Sequence, residues 1–189
     1  MFNAKNLTFS KKILGSVWYC INTCMETLKH DERLRREIEA NFSKYNSYLT
    51  HACSLNYMQY ANDNKITPEQ AWQQFENFCK YLNRLVYKRD GKKGKKSLII
   101  LPVLEGELKR QHLHFHCAIG CIDENYSFGE LKTIINSAWR KQKWTYNNPH
   151  VVPYRDKGWI GYISKESVRL DLSNVDYTCC FFPADSQMK

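Results

Sequence analysis

Residues 111–119 read Gln-His-Leu-His-Phe-His-Cys-Ala-Ile, with histidine at every second position: His112, His114 and His116. Successive side chains of an extended strand point to opposite faces. The three imidazoles therefore share one face, and Leu113, Phe115, Cys117 and Ile119 share the other. A lone strand histidine is ordinarily a satisfied polar residue, but two at this spacing can converge on a cation if a neighbouring strand adds a ligand. The preceding apolar run ends in Glu105-Gly106-Glu107. If the two segments form a hairpin through residues 108–111, Glu105 falls opposite His114 and Glu107 opposite His112, within cross-strand reach. Two imidazoles and a carboxylate leave coordination positions open for water and a phosphate oxygen. Such a mixed nitrogen and oxygen set suits Mn²⁺ or Mg²⁺ and also admits Zn²⁺.

A second candidate lies downstream, in Tyr162-Ile163-Ser164-Lys165. On a helix, Tyr162 and Lys165 are three apart and share a face. A phenol with a pKa of about 10 is a poor nucleophile at neutral pH, and a nearby cation favours the reactive phenolate. Tyrosine suits strand transfer because its phosphodiester adduct keeps the energy of the broken bond. Alone this pattern is weak: in a chain with 12 tyrosines, an ordinary amphipathic helix can carry it.

Together, HLHFH and the YISK that follows resemble the HUH endonuclease superfamily (histidine, bulky hydrophobic, histidine), which includes rolling-circle replication initiators, relaxases and certain transposases. The family's histidine pair aligns with His114-Phe115-His116, since Cys117-Ala118-Ile119 supplies the apolar run that usually follows; His112-Leu113-His114 is the alternative register. The segment from Glu105 to His116 is similar to replication initiators of bacterial single-stranded DNA phages and plasmids, where a glutamate precedes the histidine pair. The resemblance implies a divalent metal, Mn²⁺ or Mg²⁺, on His114, His116 and Glu105, with Glu107 and His112 as alternates. It implies Tyr162 as nucleophile and Lys165 as its partner, in the manner of single-tyrosine members rather than those with YxxxY. The expected chemistry is a nick in single-stranded DNA through a 5′-phosphotyrosine, leaving a 3′-hydroxyl, with rejoining by the reverse step. Residues 47–168 carry the likeness, although the family's first motif is matched only loosely near residues 49–55.

The elements that must position these residues are readable from periodicity. Residues 1–46 form a helical extension, with Leu28, Leu34, Ile38 and Phe42 at helical spacing. Residues 47–57 turn strand-like. Thr67-Pro68-Glu69 reads as an N-cap, a proline at the first helical position and an early acid, opening a helix with Trp72, Phe75, Phe78, Leu82 and Val86 on one stripe. Residues 90–96, DGKKGKK, read as a loop. Residues 97–108 form a buried strand, with Pro102 indicating an edge or a bulge. Residues 112–121 are the histidine strand. An amphipathic helix through Leu131, Ile135 and Trp139, a short strand at Val151-Val152 and a last helix near 157–168 complete the series. The order predicts an α+β fold: a ferredoxin-like antiparallel sheet of four to five strands flanked by helices. The predicted organisation is the extension at 1–46, an endonuclease domain at 47–170 and a tail at 171–189.

A formal charge of +9 over 189 residues favours a polyanionic partner. Arg84, Lys88, Arg89, Lys92, Lys93, Lys95 and Lys96 cluster at a helix end and loop, and Arg140, Lys141 and Lys143 alternate with Trp139 and Trp144. These residues pair phosphate contact with base stacking, except that Trp139 is better placed in the core. The expected partners are single-stranded DNA or an origin hairpin, with a host helicase and polymerase, since no GxxxxGK[ST] motif is present. Eight cysteines lack any CxxC pair or dense framework, which predicts reduced thiols and a cytoplasmic setting. No signal peptide is recognisable, and no apolar run approaches the ~18 residues of a membrane helix. The competing readings are a transposase or relaxase with the same site, a non-catalytic nucleic-acid-binding module, and a zinc hydrolase without covalent chemistry.

Overall fold

The computed structural model describes residues 45–61, 64–93, 95–106, 112–122 and 126–155, together with helical positions Arg36, Ala40 and Ser43. The rest of the predicted extension, the last helix near 157–168 and the tail at 171–189 lie outside the described residues. The elements run β1 (Leu49–Asn56), β2 (Tyr60–Ala61), β3 (Asn64–Lys65), α1 (Pro68–Lys92), β4 (Ile99–Glu105), β5 (His114–Gly120), α2 (Phe128–Arg140) and β6 (His150–Pro153). The main sheet is antiparallel and four-stranded, in the order β4-β5-β1-β6, while β2 and β3 pair only with each other. This is the split βαβ arrangement of ferredoxin-like folds, with four strands where the sequence allowed five.

Both helices begin where local chemistry dictates. The Thr67 hydroxyl accepts from the Gln70 amide while the Gln70 side chain accepts from the Thr67 amide, closing a capping box ahead of Pro68. Ser127 and Glu130 repeat the device at the start of α2. Helix α1 does not stop before residue 90 as the glycines suggest. It kinks at Lys88, whose φ is +50°, and runs on to Lys92, so only residues after 92 are loop.

Both helices cover one face of the sheet. Phe75, Phe78, Leu82, Leu131, Ile135 and Trp139 pack there against Leu55, Ile100, Leu104, Phe115, Cys117 and Ile119. Phe115 sits at the centre, stacked on Phe75 with ring centroids 4.2 Å apart and met edge-on by Trp72 at 4.7 Å. Trp139 is fully buried, and the sequence-based choice of core over base stacking holds. Cys53, Cys79, Cys117 and Cys121 are free thiols. Pro102 lies in β4, an edge strand. Among the described residues, no helix is long and apolar enough to cross a membrane.

The opposite face carries a smaller apolar cluster, formed by Tyr45, Leu49, Ile99, Leu101 and Ala118, at one end. The candidate ligands occupy the other end.

Candidate metal centre

Alternation along β5 decides which way its histidines point. Phe115 and Cys117 are pinned into the helix-side core, so His114 and His116 must project from the open face. Strand β4 pairs with β5 so that Glu105 stands opposite His114 and Val103 opposite His116, which is the register the hairpin argument required. Glu105 Oε2 lies 3.5 Å from the Nε2 atoms of both histidines, and those two nitrogens are 3.2 Å apart. A tetrahedral ion with bonds of about 2.0–2.1 Å holds its ligand atoms about 3.3–3.4 Å apart, and an octahedral one about 2.9–3.1 Å. The observed 3.2–3.5 Å separations lie within about 0.1 Å of the tetrahedral range and above the octahedral one, so a small closing movement fits the three atoms to one divalent cation.

Tautomers reinforce the fit. His114 Nδ1 is 2.8 Å from the His112 carbonyl oxygen, which can only accept; Nδ1 therefore carries the proton, and the Nε2 lone pair faces the other two groups. His116 Nδ1 is 3.0 Å from Ser54 Oγ, a hydroxyl able to accept from it and fix the same tautomer. Two lone pairs and a carboxylate oxygen then point at one another in a partly desolvated place, where the side chains keep only 18, 17 and 11% of their exposure. Electron-rich atoms hold such an arrangement when positive charge stands between them, either as a shared proton or as a metal ion.

Two further contacts set the base of the site. Gln59 receives the Leu113 amide at 2.9 Å and donates to the Tyr57 carbonyl at 3.0 Å, clamping the residue between His112 and His114. Gly106 has φ +98°, and a β-carbon there would collide with the His112 carbonyl oxygen. The glycine after Glu105 thus lets the hairpin close against the same carbonyl that orients His114.

His112, the alternate ligand, is not in the converging group: its side chain is exposed, and its carbonyl oxygen is what meets His114 Nδ1. Among the described residues, the converging group is Glu105, His114 and His116. Glu107, Tyr162 and Lys165 lie outside the described residues. Tyr57 is no substitute nucleophile: burial pushes its phenol pKa well up, and its hydroxyl donates to the Ala71 carbonyl on the helix side.

Sequence reasoning missed Ser54 and Gln59, whose partners are 62 and 54 residues away and leave no local signal. It also missed His150, which pairs with Ser54 on β1 and so stands exposed on the open face one strand further from His116.

The expected DNA-binding residues are divided. Lys92, Lys96 and Lys143 line one open groove with Arg84, whereas Arg89 in the last turn of α1 and Lys93 and Lys95 just after it stand exposed outside that lining. The Arg140 Nε donates to the Asn147 carbonyl at 3.0 Å. Trp144 is half-buried against the core, with φ +65°. The groove belongs to the helix layer, so it and the metal ligands do not form one cleft. Compared with known protein families, with curated proteins and with solved structures, the chain matches none.

Proposed function

We propose that the protein is a metal-dependent endonuclease that nicks single-stranded DNA by transfer to a tyrosine and initiates replication, as its resemblance to HUH endonucleases implies. The observation that supports this most is the convergence of Glu105 Oε2 and two imidazole Nε2 atoms, 3.2–3.5 Å apart, on the open face of the sheet. A divalent ion there supplies Lewis-acid polarisation of a phosphate and neutralises charge on its oxygens.

The residues have distinct tasks in this reading. His114 and His116 present nitrogen lone pairs, Glu105 contributes the negative charge, and the His112 carbonyl and Ser54 keep the rings turned the right way. Tyr162 is the nucleophile: its phenolate oxygen bonds to phosphorus, the bond from phosphorus to the 3′-oxygen breaks, and that oxygen leaves and takes a proton from water. The product is a 5′-phosphotyrosine and a free 3′-hydroxyl. Lys165 favours the phenolate. An incoming 3′-hydroxyl reverses the step and rejoins the strand, releasing Tyr162.

The test is an adduct assay. With 3′-labelled single-stranded oligonucleotides and Mn²⁺, wild-type protein should acquire a label that survives denaturing electrophoresis. Tyr162→Phe should abolish it, Glu105→Gln should lower it at least tenfold, about the loss of one metal ligand's contribution, and Tyr146→Phe should keep it. Absence of label across a diverse oligonucleotide pool would remove the proposal. Cleavage that survives Tyr162→Phe would replace it with a hydrolase.

A further inference from the structure

The open groove on the helix layer is lined by six cations: Lys80, Arg84, Lys92 and Lys96 from α1 and the loop after it, and Lys141 and Lys143 from beyond the end of α2. Among the described residues, no aspartate or glutamate lines it. Lys80 has Glu76 as a neighbour at 2.6 Å, one helical turn back on α1. Arg84 lies over the Tyr81 ring, 4.8 Å from its centre, and Tyr81 itself lines the groove. A guanidinium stacked on a phenol ring makes a flat, cationic platform beside the lysines.

The groove and the metal centre lie on opposite sides of the sheet. Helix α1 presses Phe75, Phe78 and Leu82 onto the face that holds Phe115, and Glu105, His114 and His116 leave by the other face. Along the strand direction, Lys96 precedes the first residue of β4 whereas Glu105 is its last. The stretch of any strand gripped in this groove is therefore not the stretch beside the metal ligands.

We propose that the groove is a second binding track for single-stranded nucleic acid, independent of metal. Its chemistry matches a sugar-phosphate chain with accessible bases: cations spaced along a concave track, amide side chains such as Gln74 and Asn77 between them, and one stacked aromatic. A lipid surface fits poorly, because the exposed large apolar residues, Tyr60, Tyr146 and Val152, all lie outside the groove. The inference does not depend on the nickase reading.

The experiment is equilibrium binding of the full chain to a fluorescent oligothymidylate of about 20 nucleotides in EDTA, across a salt series. The triple variant Arg84→Gln, Lys96→Gln, Lys143→Gln should bind at least tenfold more weakly. Its plot of log affinity against log salt should be shallower by about 2, since each single-strand phosphate contact contributes about 0.7. Tyr60→Ser, at an exposed position outside the groove, should bind as the wild type does. Should the triple variant unfold, Lys92→Glu replaces it, and a threefold weakening supports the track. Unchanged affinity in a folded groove variant overturns the proposal. So does tighter binding of a blunt duplex of equal length, or displacement by poly-glutamate as effective as by unlabelled oligonucleotide.

Discussion

Histidines occupy both faces of the same sheet, and the two sets have opposite fates. On the helix face His51 is buried, stacked on Phe128 with ring centroids 4.6 Å apart. Its Nε2 is 3.0 Å from the Phe128 carbonyl oxygen and its Nδ1 is 2.8 Å from the Thr50 hydroxyl, so Nε2 carries the proton and both nitrogens are engaged by the fold. On the open face His114 and His116 use Nδ1 for orientation and leave Nε2 directed at a carboxylate. One imidazole is a neutral brace between β1 and the start of α2, and the other two are the candidate metal ligands. Residue type does not separate these roles; what decides them is which ring nitrogen the surrounding fold engages.

The largest break in this comparison is expected on the helix face. Phe115→Ala should cost about 3–5 kcal/mol of unfolding free energy, as truncation of a buried aromatic does, read by denaturant unfolding in EDTA. The ligand variants His114→Asn and His116→Asn, at partly exposed positions, should change stability far less in that buffer. Next comes metal linkage. Mn²⁺ at about a hundredfold excess over its dissociation constant should stabilise the wild type by about 2.7 kcal/mol. Thermal melts of the double histidine variant should show no such shift; an equal shift would place the metal elsewhere.

Ser54→Ala sharpens the comparison. It removes only the group that orients His116, and metal affinity measured by titration should fall roughly 10–100-fold, the usual cost of losing such a partner. An unchanged affinity would show that packing alone sets the ring. The smallest effect concerns His51. Burial lowers its pKa; the hydrogen bond to the Phe128 carbonyl opposes this, and the charge of Lys132 adds to it. The unfolded chain therefore binds the proton more readily. The stability this group contributes is fully present above pH ~6.5 and is lost as pH falls through the folded value, at most about 1.4 kcal/mol per pH unit. Unfolding free energies measured in EDTA from pH 7.5 to 5 should decline less in His51→Asn than in the wild type.

Much of this was legible in the sequence, because period and punctuation carry it. Thr67-Pro68 marked the start of α1, the apolar set Leu113, Phe115, Cys117 and Ile119 told which side of β5 is inside, and the hairpin register put Glu105 across from His114. His112 continues an alternation that Leu113 does keep, but its exposed side chain stays outside the converging group. Residues 90–92 were assigned to a loop because glycine is a poor helix former, whereas past the kink at Lys88 Gly91 lies too close to the Asn83 carbonyl for any β-carbon. Charge could be counted but not sided: nothing local in Lys92, Lys96 or Lys143 tells that they stand behind the sheet. Ser54 and Gln59 act across folds of the chain that only three dimensions reveal.

Pro102 has a consequence beyond marking an edge. Strand β4, Ile-Ile-Leu-Pro-Val-Leu-Glu, is buried along its whole length, yet among the described strands it pairs on one flank only. An edge flank of this kind, wherever it is uncovered, is where another molecule's strand would most readily add. A proline midway along cannot supply an amide donor to such a visitor, which spoils the row as a template. The border of the sheet that ends in Glu105 is thereby discouraged from zipping onto a second copy of the chain.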